Sequence, residues 1–350
     1  MQTSDNILDL LREKGAEVER RMQRGLIVQP GAIGDCILTL PLAAFMKESL
    51  KLGGVDLLGH TEYVGVLPGR SSIDTVRSID SMDLHRLFAE TKAFELRDKD
   101  PLIIAFASYA WITTFMGEPY SNFEQNLIFT ANCSRSVDVT TLSLKPPADS
   151  CEHVADFYIR QFINQSGLTL EPPRVQTGKG LIETTEADKN AGRELLRERG
   201  LDPDRKLIVI HPGSGGPAKC WHMENFLAVA AKLASENIQV AFLLGPAEQD
   251  RLKNTATGKI SSLARCLTNL TLTQIAGLLS CADAFVGNDS GITHLAGTLG
   301  VKTLAVFGPT NPAVYRPIGP AVTVFTSSSP AFAEETSPGL QREILDILIE

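Results

Sequence analysis

The sequence has no uninterrupted apolar run of bilayer-spanning length, no C-x-x-C pair, and no clustering of cysteine with histidine at zinc-ligand spacing. The first absence excludes a membrane-spanning helix. The others leave Cys36, Cys133, Cys151, Cys220, Cys266 and Cys281 as free thiols, expected to be mostly buried. Positive charge is also short: 33 Lys and Arg face 41 Asp and Glu, a formal net charge of −8. That balance argues against broad electrostatic binding to nucleic acid or anionic lipid, while leaving room for a local basic pocket. No cationic stretch followed by an apolar core and a small-residue cleavage site begins the chain, so the expected compartment is the cytoplasm. What remains is an ordinary globular composition, 43% hydrophobic and 21% charged, over 350 residues, enough for two domains with a core each.

Strand and helix patterns alternate along the chain. Residues 5–24 carry Ile7, Leu8, Leu11, Val18 and Met22 between charges, which predicts an amphipathic helix. Strands are expected at Leu26–Gln29, Val55–Leu58, Ile73–Arg77 and Leu102–Ala107, with helices between them and a further helix over Glu152–Gln165. Pro172-Pro173 and the polar run 176–180 read as the approach to a domain crossover. The second half repeats the plan, with strands at Leu207–His211, Ile238–Leu244, Ala284–Gly287 and Thr303–Phe307. Helices are expected from near Met223, Ala247, Leu272 and Ile292, and a last one over Leu340–Leu348. This alternation predicts an α/β protein of two doubly wound parallel halves. The expected divisions are an N-terminal helix (1–24), a first Rossmann-like domain (25–175), a crossover (176–205), a second Rossmann-like domain (206–328) and a C-terminal tail and helix (329–350) that packs back on the first domain.

Three strand exits stand out. In Gly287-Asn288-Asp289-Ser290-Gly291-Ile292-Thr293-His294 an apolar strand runs into a helix. Backbone N–H groups and the helix dipole there suit an anion, and Gly291 allows close approach; equally, Asp289 or Ser290 reads as a simple helix cap. The second exit is Gln29-Pro30-Gly31-Ala32-Ile33-Gly34-Asp35, a tight Gly31-to-Gly34 turn before a helix from Cys36, which Asp35 would cap. The third is His211-Pro212-Gly213-Ser214-Gly215-Gly216-Pro217-Ala218-Lys219-Cys220-Trp221, a loop in which Lys219 alone reads as a solvated cation. Gly245-Pro246-Ala247-Glu248 and Phe307-Gly308-Pro309-Thr310-Asn311-Pro312 follow two further strands; Trp221 and Phe226 read as core, and Pro309 to Pro312 as a rigid loop.

In order and spacing, over residues 25–45 and 205–320, these motifs resemble glycosyltransferase family 9, the ADP-heptose:lipopolysaccharide heptosyltransferase family. The resemblance implies the GT-B fold, two Rossmann-like domains facing a cleft, with acceptor on the first and nucleotide sugar on the second. It implies Asp35 as general base, with Gly31 and Gly34 shaping the acceptor-side turn. Lys219, Ser214, Ser290 and Gly291 would hold the diphosphate, Glu248 the ribose, and Asp289 and His294 the donor sugar. Glu248 also reads as a first-turn glutamate favoured by the helix dipole, and His294 as a packed structural histidine. The implied reaction is a single, inverting displacement with no metal or other cofactor. The implied partners are a nucleotide-sugar donor and a saccharide or glycolipid acceptor, the latter giving peripheral contact with the inner membrane. Asp98-Lys99-Asp100 and Asp202-Pro203-Asp204 match the D-x-D element of metal-dependent glycosyltransferases, but each sits in a charged turn beside a proline and is read as a surface turn.

The segment 55–150, which should shape the acceptor pocket, shows no cluster of Arg and Lys of the kind acidic inner-core sugars call for. A nicotinamide dehydrogenase would need G-x-G-x-x-G after the first strand, and Gly31-Ala32-Ile33-Gly34-Asp35 has the wrong spacing. A sugar-nucleotide epimerase or hydrolase on the same fold would release epimer or free sugar without acceptor. A non-catalytic nucleotide-binding relative would be indifferent to loss of Asp35.

Overall fold

The computed structural model describes residues 23–251 and 254–350. The chain divides into two units, one comprising the described residues up to Ala148 with Val154–Val175, the other Asp149–His153 and Gln176–Glu350. The amphipathic helix expected over 5–24 lies outside the described residues, except that Arg24 already begins the first strand.

Each unit holds one all-parallel sheet. In the first, β1 (Arg24–Val28), β2 (Gly54–Gly59), β3 (Thr75–Ser78), β4 (Tyr109–Thr114) and β5 (Asp138–Thr141) are ordered β3-β2-β1-β4-β5. In the second, β6 (Leu207–His211), β7 (Gln239–Leu244), β8 (Arg265–Thr268), β9 (Ala284–Asn288), β10 (Lys302–Phe307) and β11 (Val322–Thr326) are ordered β11-β10-β9-β6-β7-β8. The central strands are apolar on successive residues because helices cover both faces of a parallel sheet. Leu26, Ile27 and Val28, and likewise Ile208, Val209 and Ile210, are buried in unbroken runs.

Strand order sets where ligands can bind. The chain leaves β1 for β2 and β3, then returns to β4 on the other side of β1; it leaves β6 for β7 and β8, then returns to β9 on the other side of β6. Strand order therefore reverses at β1/β4 and at β6/β9, and the crevice beyond the carboxyl ends of such a pair is where open α/β sheets take ligands. The exits carrying Asp35, Lys219 and Asp289 all lie there.

Several expectations need correction. Leu102–Ala107 is not a strand: Pro101–Phe106 is a helix, with Asp100 accepting a hydrogen bond from the Leu102 N–H and Pro101 at the first position. An Asp-Pro helix start outweighed the β-like run Leu-Ile-Ile-Ala-Phe, and the strand follows at the aromatic and β-branched Tyr109–Thr114. Asp100 is accordingly no surface turn. It is buried, both carboxylate oxygens accept from Arg86, and this hydrogen bonding overcomes burial to hold its carboxyl far below the usual range. Asp204, by contrast, is an exposed partner of Arg193. Cys36 is buried, but Cys133 and Cys151 are exposed and the other three half-buried, so the thiols are free without being mostly core.

The stretch 176–205 is more than a crossover. Thr185 and Asp188 form a reciprocal cap that starts the helix Glu186–Glu198, which packs on the helix Leu272–Leu279. The approach is glycine to glycine: a Cβ on Gly192 would come within 2.2 Å of the Gly277 carbonyl oxygen. Gly192→Val is therefore expected to destabilise the protein by about 1–3 kcal/mol, read as a lower midpoint in urea unfolding at unchanged slope. The C-terminal helix, Pro338–Ile349, buries Ile344 and Leu348 with Trp221, Phe226 and Val229 in the second unit's core. Pro309–Pro312 is a loop only up to Asn311, which caps the short helix Pro312–Tyr315. Among the described residues no helix is long and apolar enough to cross a membrane.

Candidate functional site

Because β6 and β9 are neighbours, the loop after one meets the turn after the other. Ser214 donates its hydroxyl hydrogen to the Asp289 carbonyl oxygen at 2.5 Å, and Lys219 Nζ lies 2.9 Å from Asp289 Oδ2. On the other side of the same carboxylate, His294 Nε2 is 3.8 Å from Oδ1, beyond hydrogen-bond distance. Ser290 takes the capping position expected of it: its hydroxyl accepts from the Thr293 N–H at 3.3 Å and starts the helix Gly291–Thr298. Gly291 is that helix's first residue, so the dipole's positive end opens beside Lys219's partner. His294 is 4% exposed, yet its Nδ1 has no hydrogen-bond partner among the described residues. A buried ring nitrogen in that state calls for a ligand or water to complete it.

Burial would raise the Asp289 carboxyl, but His294 and Lys219 overcome it and hold the group down at about 2. A depressed carboxyl contributes stability that is complete above its unfolded pKa, ordinarily about 3.9, and lost as pH falls through the folded value. Asp289→Asn is therefore expected to cost about 2 kcal/mol at pH 7, a deficit that shrinks to nothing between about pH 4 and pH 2. Urea unfolding of both proteins across that range measures it; parallel curves would show that the carboxylate's charge is not what matters.

Glu248 lies in the first turn of the helix Pro246–Arg251, and its Oε2 accepts from the Gly245 N–H at 2.9 Å. Its other oxygen sits where a Cβ on Gly213 would be, 2.2 Å away, so the glycine that opens the Ser214 loop also makes room for this carboxylate. With Pro212, Gly213, Trp221 and His222, Glu248 lines a cavity of about 230 Å³.

In the first unit Asp35 stands at the exit of β1. The helix begins at Ile33, earlier than expected, so Gly34 is helical and not part of the turn, and Asp35 is the third residue of the first turn. Its Oδ2 accepts from the Ala32 N–H at 3.1 Å, and a Cβ on Gly31 would lie 2.7 Å from that same oxygen. Gly31 is thus required by close packing of the Asp35 carboxylate. Next to it, burial and then the charge of Asp35 push the Cys36 thiol up to about 12, which makes it a packed thiol and no nucleophile.

The structure thus brings Ser214, Lys219, Asp289, Ser290, Gly291 and His294 together and sets Glu248 behind Gly213, with Gly31 and Asp35 at the first unit's switch point. Three buried polar residues at strand exits carry roles that motif reading did not assign. Gln29 accepts from the Gly31 N–H at 2.9 Å and donates to Thr39, whose hydroxyl bonds the Asp35 carbonyl oxygen. His211 donates from Nδ1 to the Leu243 carbonyl oxygen at 2.9 Å, and burial lowers its pKa, keeping it neutral. Asn288 is wholly buried between the loop and the helix. The available signal was a lone polar side chain closing an otherwise apolar strand.

Comparison with known proteins supplies the family. The model of glycosyltransferase family 9 (heptosyltransferase) matches residues 158–340, more than half of the chain. Lipopolysaccharide heptosyltransferase 2 of Salmonella typhimurium is 27% identical over 47% of this chain and 49% of its own, so the match spans about half the length of that relative. Lipopolysaccharide heptosyltransferase 3 of Escherichia coli is 27% identical over 81% of this chain and 83% of its own. The solved structure of the E. coli ADP-heptose lps heptosyltransferase II covers 93% of this chain and 99% of that one with a TM-score of 0.67 at 16% identity, a likeness of fold, namely GT-B. With its two parallel Rossmann-like units and its motif-bearing strand exits, the chain belongs to glycosyltransferase family 9, the heptosyltransferase family.

Proposed function

We propose that the protein is an inverting glycosyltransferase that moves a sugar, heptose from ADP-heptose, onto a saccharide acceptor of the lipopolysaccharide-core type. The observation that carries this reading is the meeting of Lys219 and Ser214 with the start of the Gly291–Thr298 helix at the β6/β9 switch point, because a departing diphosphate needs convergent positive charge and N–H donors. Lys219 and the helix N-terminus stabilise the leaving group, a donor set that supplies what a divalent metal would and supports a metal-independent reaction. Glu248 accepts hydrogen bonds from the ribose hydroxyls. Asp289 and His294 contact the sugar, and a donor hydroxyl satisfies the orphaned His294 Nδ1. Asp35 takes the proton of the acceptor hydroxyl as that oxygen attacks the anomeric carbon on the face opposite the diphosphate; one displacement inverts the configuration. The reaction takes place in the cytoplasm, with contact to the inner membrane only through the acceptor.

Calorimetric titration with ADP, UDP and GDP, with and without magnesium, tests the reading. Selective binding of ADP, unchanged by magnesium, is expected; preference for UDP or GDP would discard the heptosyl donor, and a magnesium requirement would discard the metal-free mechanism. Incubation with donor alone should yield neither epimer nor a stoichiometric release of free sugar.

A further inference from the structure

We infer that Asn288 is the positioning residue of the diphosphate site, its single amide clamping both ends of the loop that carries Ser214 and Lys219. The inference rests on the functional reading above for what the loop binds. Asn288 closes β9 and is wholly buried. Its Nδ2 donates to the Pro212 carbonyl oxygen at 2.7 Å, where the loop leaves β6, and its Oδ1 accepts from the Trp221 N–H at 2.9 Å, where the loop returns to the core. Its own carbonyl oxygen accepts from the Thr293 hydroxyl in the first turn of the Gly291–Thr298 helix. One residue therefore bonds the start of the loop, the end of the loop and the helix whose N-terminus faces the same ligand.

The span between the two clamps needs such a device. Gly213, Gly215 and Gly216 give its backbone freedom, and a Cβ on Gly215 or Gly216 would meet nothing within 4 Å. Inside the span, the backbone hydrogen bonds are one-turn contacts around Pro217–Lys219, and Ser214 and Lys219 each reach across to Asp289. Without the clamp, ordering this segment at each binding event would cost conformational entropy that weakens affinity; with it, Lys219 is held toward Asp289 before ligand arrives. An amide suits the position, because one end of the loop offers a carbonyl and the other an N–H.

Asn288→Asp is the isosteric test. One carboxylate oxygen still accepts from Trp221, but the other faces the Pro212 carbonyl, acceptor against acceptor. Expected results are faster amide hydrogen exchange across 213–220 in the ligand-free protein and a loss of ADP affinity of about tenfold or more. In a Lys219→Ala background the same change should add less than about twofold, since both act through one loop. Ile210→Val, a buried change in β6 that leaves every one of these polar groups in place, controls for stability and should leave ADP affinity intact. If Asn288→Asp fails to fold, Asn288→Ala, which can bond neither end, carries the same expectation. Unchanged exchange across the loop, full additivity with Lys219→Ala, or an equal loss of affinity in Ile210→Val would overturn the inference. Absence of ADP binding by the wild type would instead overturn the functional reading, while hydrogen exchange would still decide whether Asn288 holds the loop.

Discussion

Asp35→Asn is expected to lower kcat by about 10²–10⁴-fold, the usual contribution of a positioned general base, while nucleotide affinity stays within about twofold of wild type. The substitution separates the two physical roles of this carboxylate. As part of a helix start, Asp35 accepts from the Ala32 N–H through one oxygen, and an asparagine carbonyl can accept the same bond. The fold should therefore survive with a melting midpoint close to wild type. As a base, the group must take a proton in the transition state, which an amide cannot do. Single-turnover transfer beside a nucleotide titration reads both. Near-normal turnover with intact donor binding would reduce Asp35 to a capping residue. Asp35→Ala should show the chemical defect with a small stability loss added, because it removes the bond to Ala32 as well.

Lys219→Ala is expected to weaken ADP binding by about 10²-fold, in the range of a charge-assisted hydrogen bond lost from a phosphate site. Two effects act together. The ammonium no longer meets the diphosphate, and Asp289, 8% exposed at its side chain, loses its ammonium partner and turns its negative charge on the ligand. Adding Asp289→Asn to Lys219→Ala should therefore recover part of the affinity, a sign reversal that a solvated loop lysine would not produce. Lys219→Arg should bind ADP more weakly than wild type but better than the alanine variant, since the charge is kept while the point geometry is lost. Equal ADP affinity in Lys219→Ala and wild type would remove this residue from the site and with it the metal-free account of leaving-group stabilisation.

Much of the fold was legible in the sequence because the central strands of a parallel sheet are apolar throughout and end in glycine-rich turns. β1, β2, β6, β7, β9 and β10 all fall on or within a residue or two of the expected segments. Apart from β4, the missing strands were outer ones. β5, β8 and β11 are short edges exposed on part of their length, so they carry no apolar run to find. At Leu102 a β-like composition hid a helix because the Asp-Pro cap before it decided the local conformation. The donor-side residues were legible as motifs, but their arrangement was not: Lys219 and Asp289 are 70 positions apart, and no local pattern says that one will bond the other. Gln29 and Asn288 escaped because an amide ending a strand has no distinctive neighbours in sequence.

By itself the sequence determined the alternation of strand and helix, the parallel class of both sheets, the glycine-rich strand exits and the family to which they belong. These properties are local: hydrophobic period, cap and turn chemistry each act over a few residues. Only the tertiary structure decided that β9 returns beside β6, and everything specific to the site follows from that adjacency. It sets Lys219 and His294 on opposite sides of one buried carboxylate, stretches the Asn288 amide across both ends of the Ser214 loop, and sends the last helix to the second core. Such pairings depend on strand order and on burial that makes each polar group seek a partner, and neither is written in any single stretch of chain.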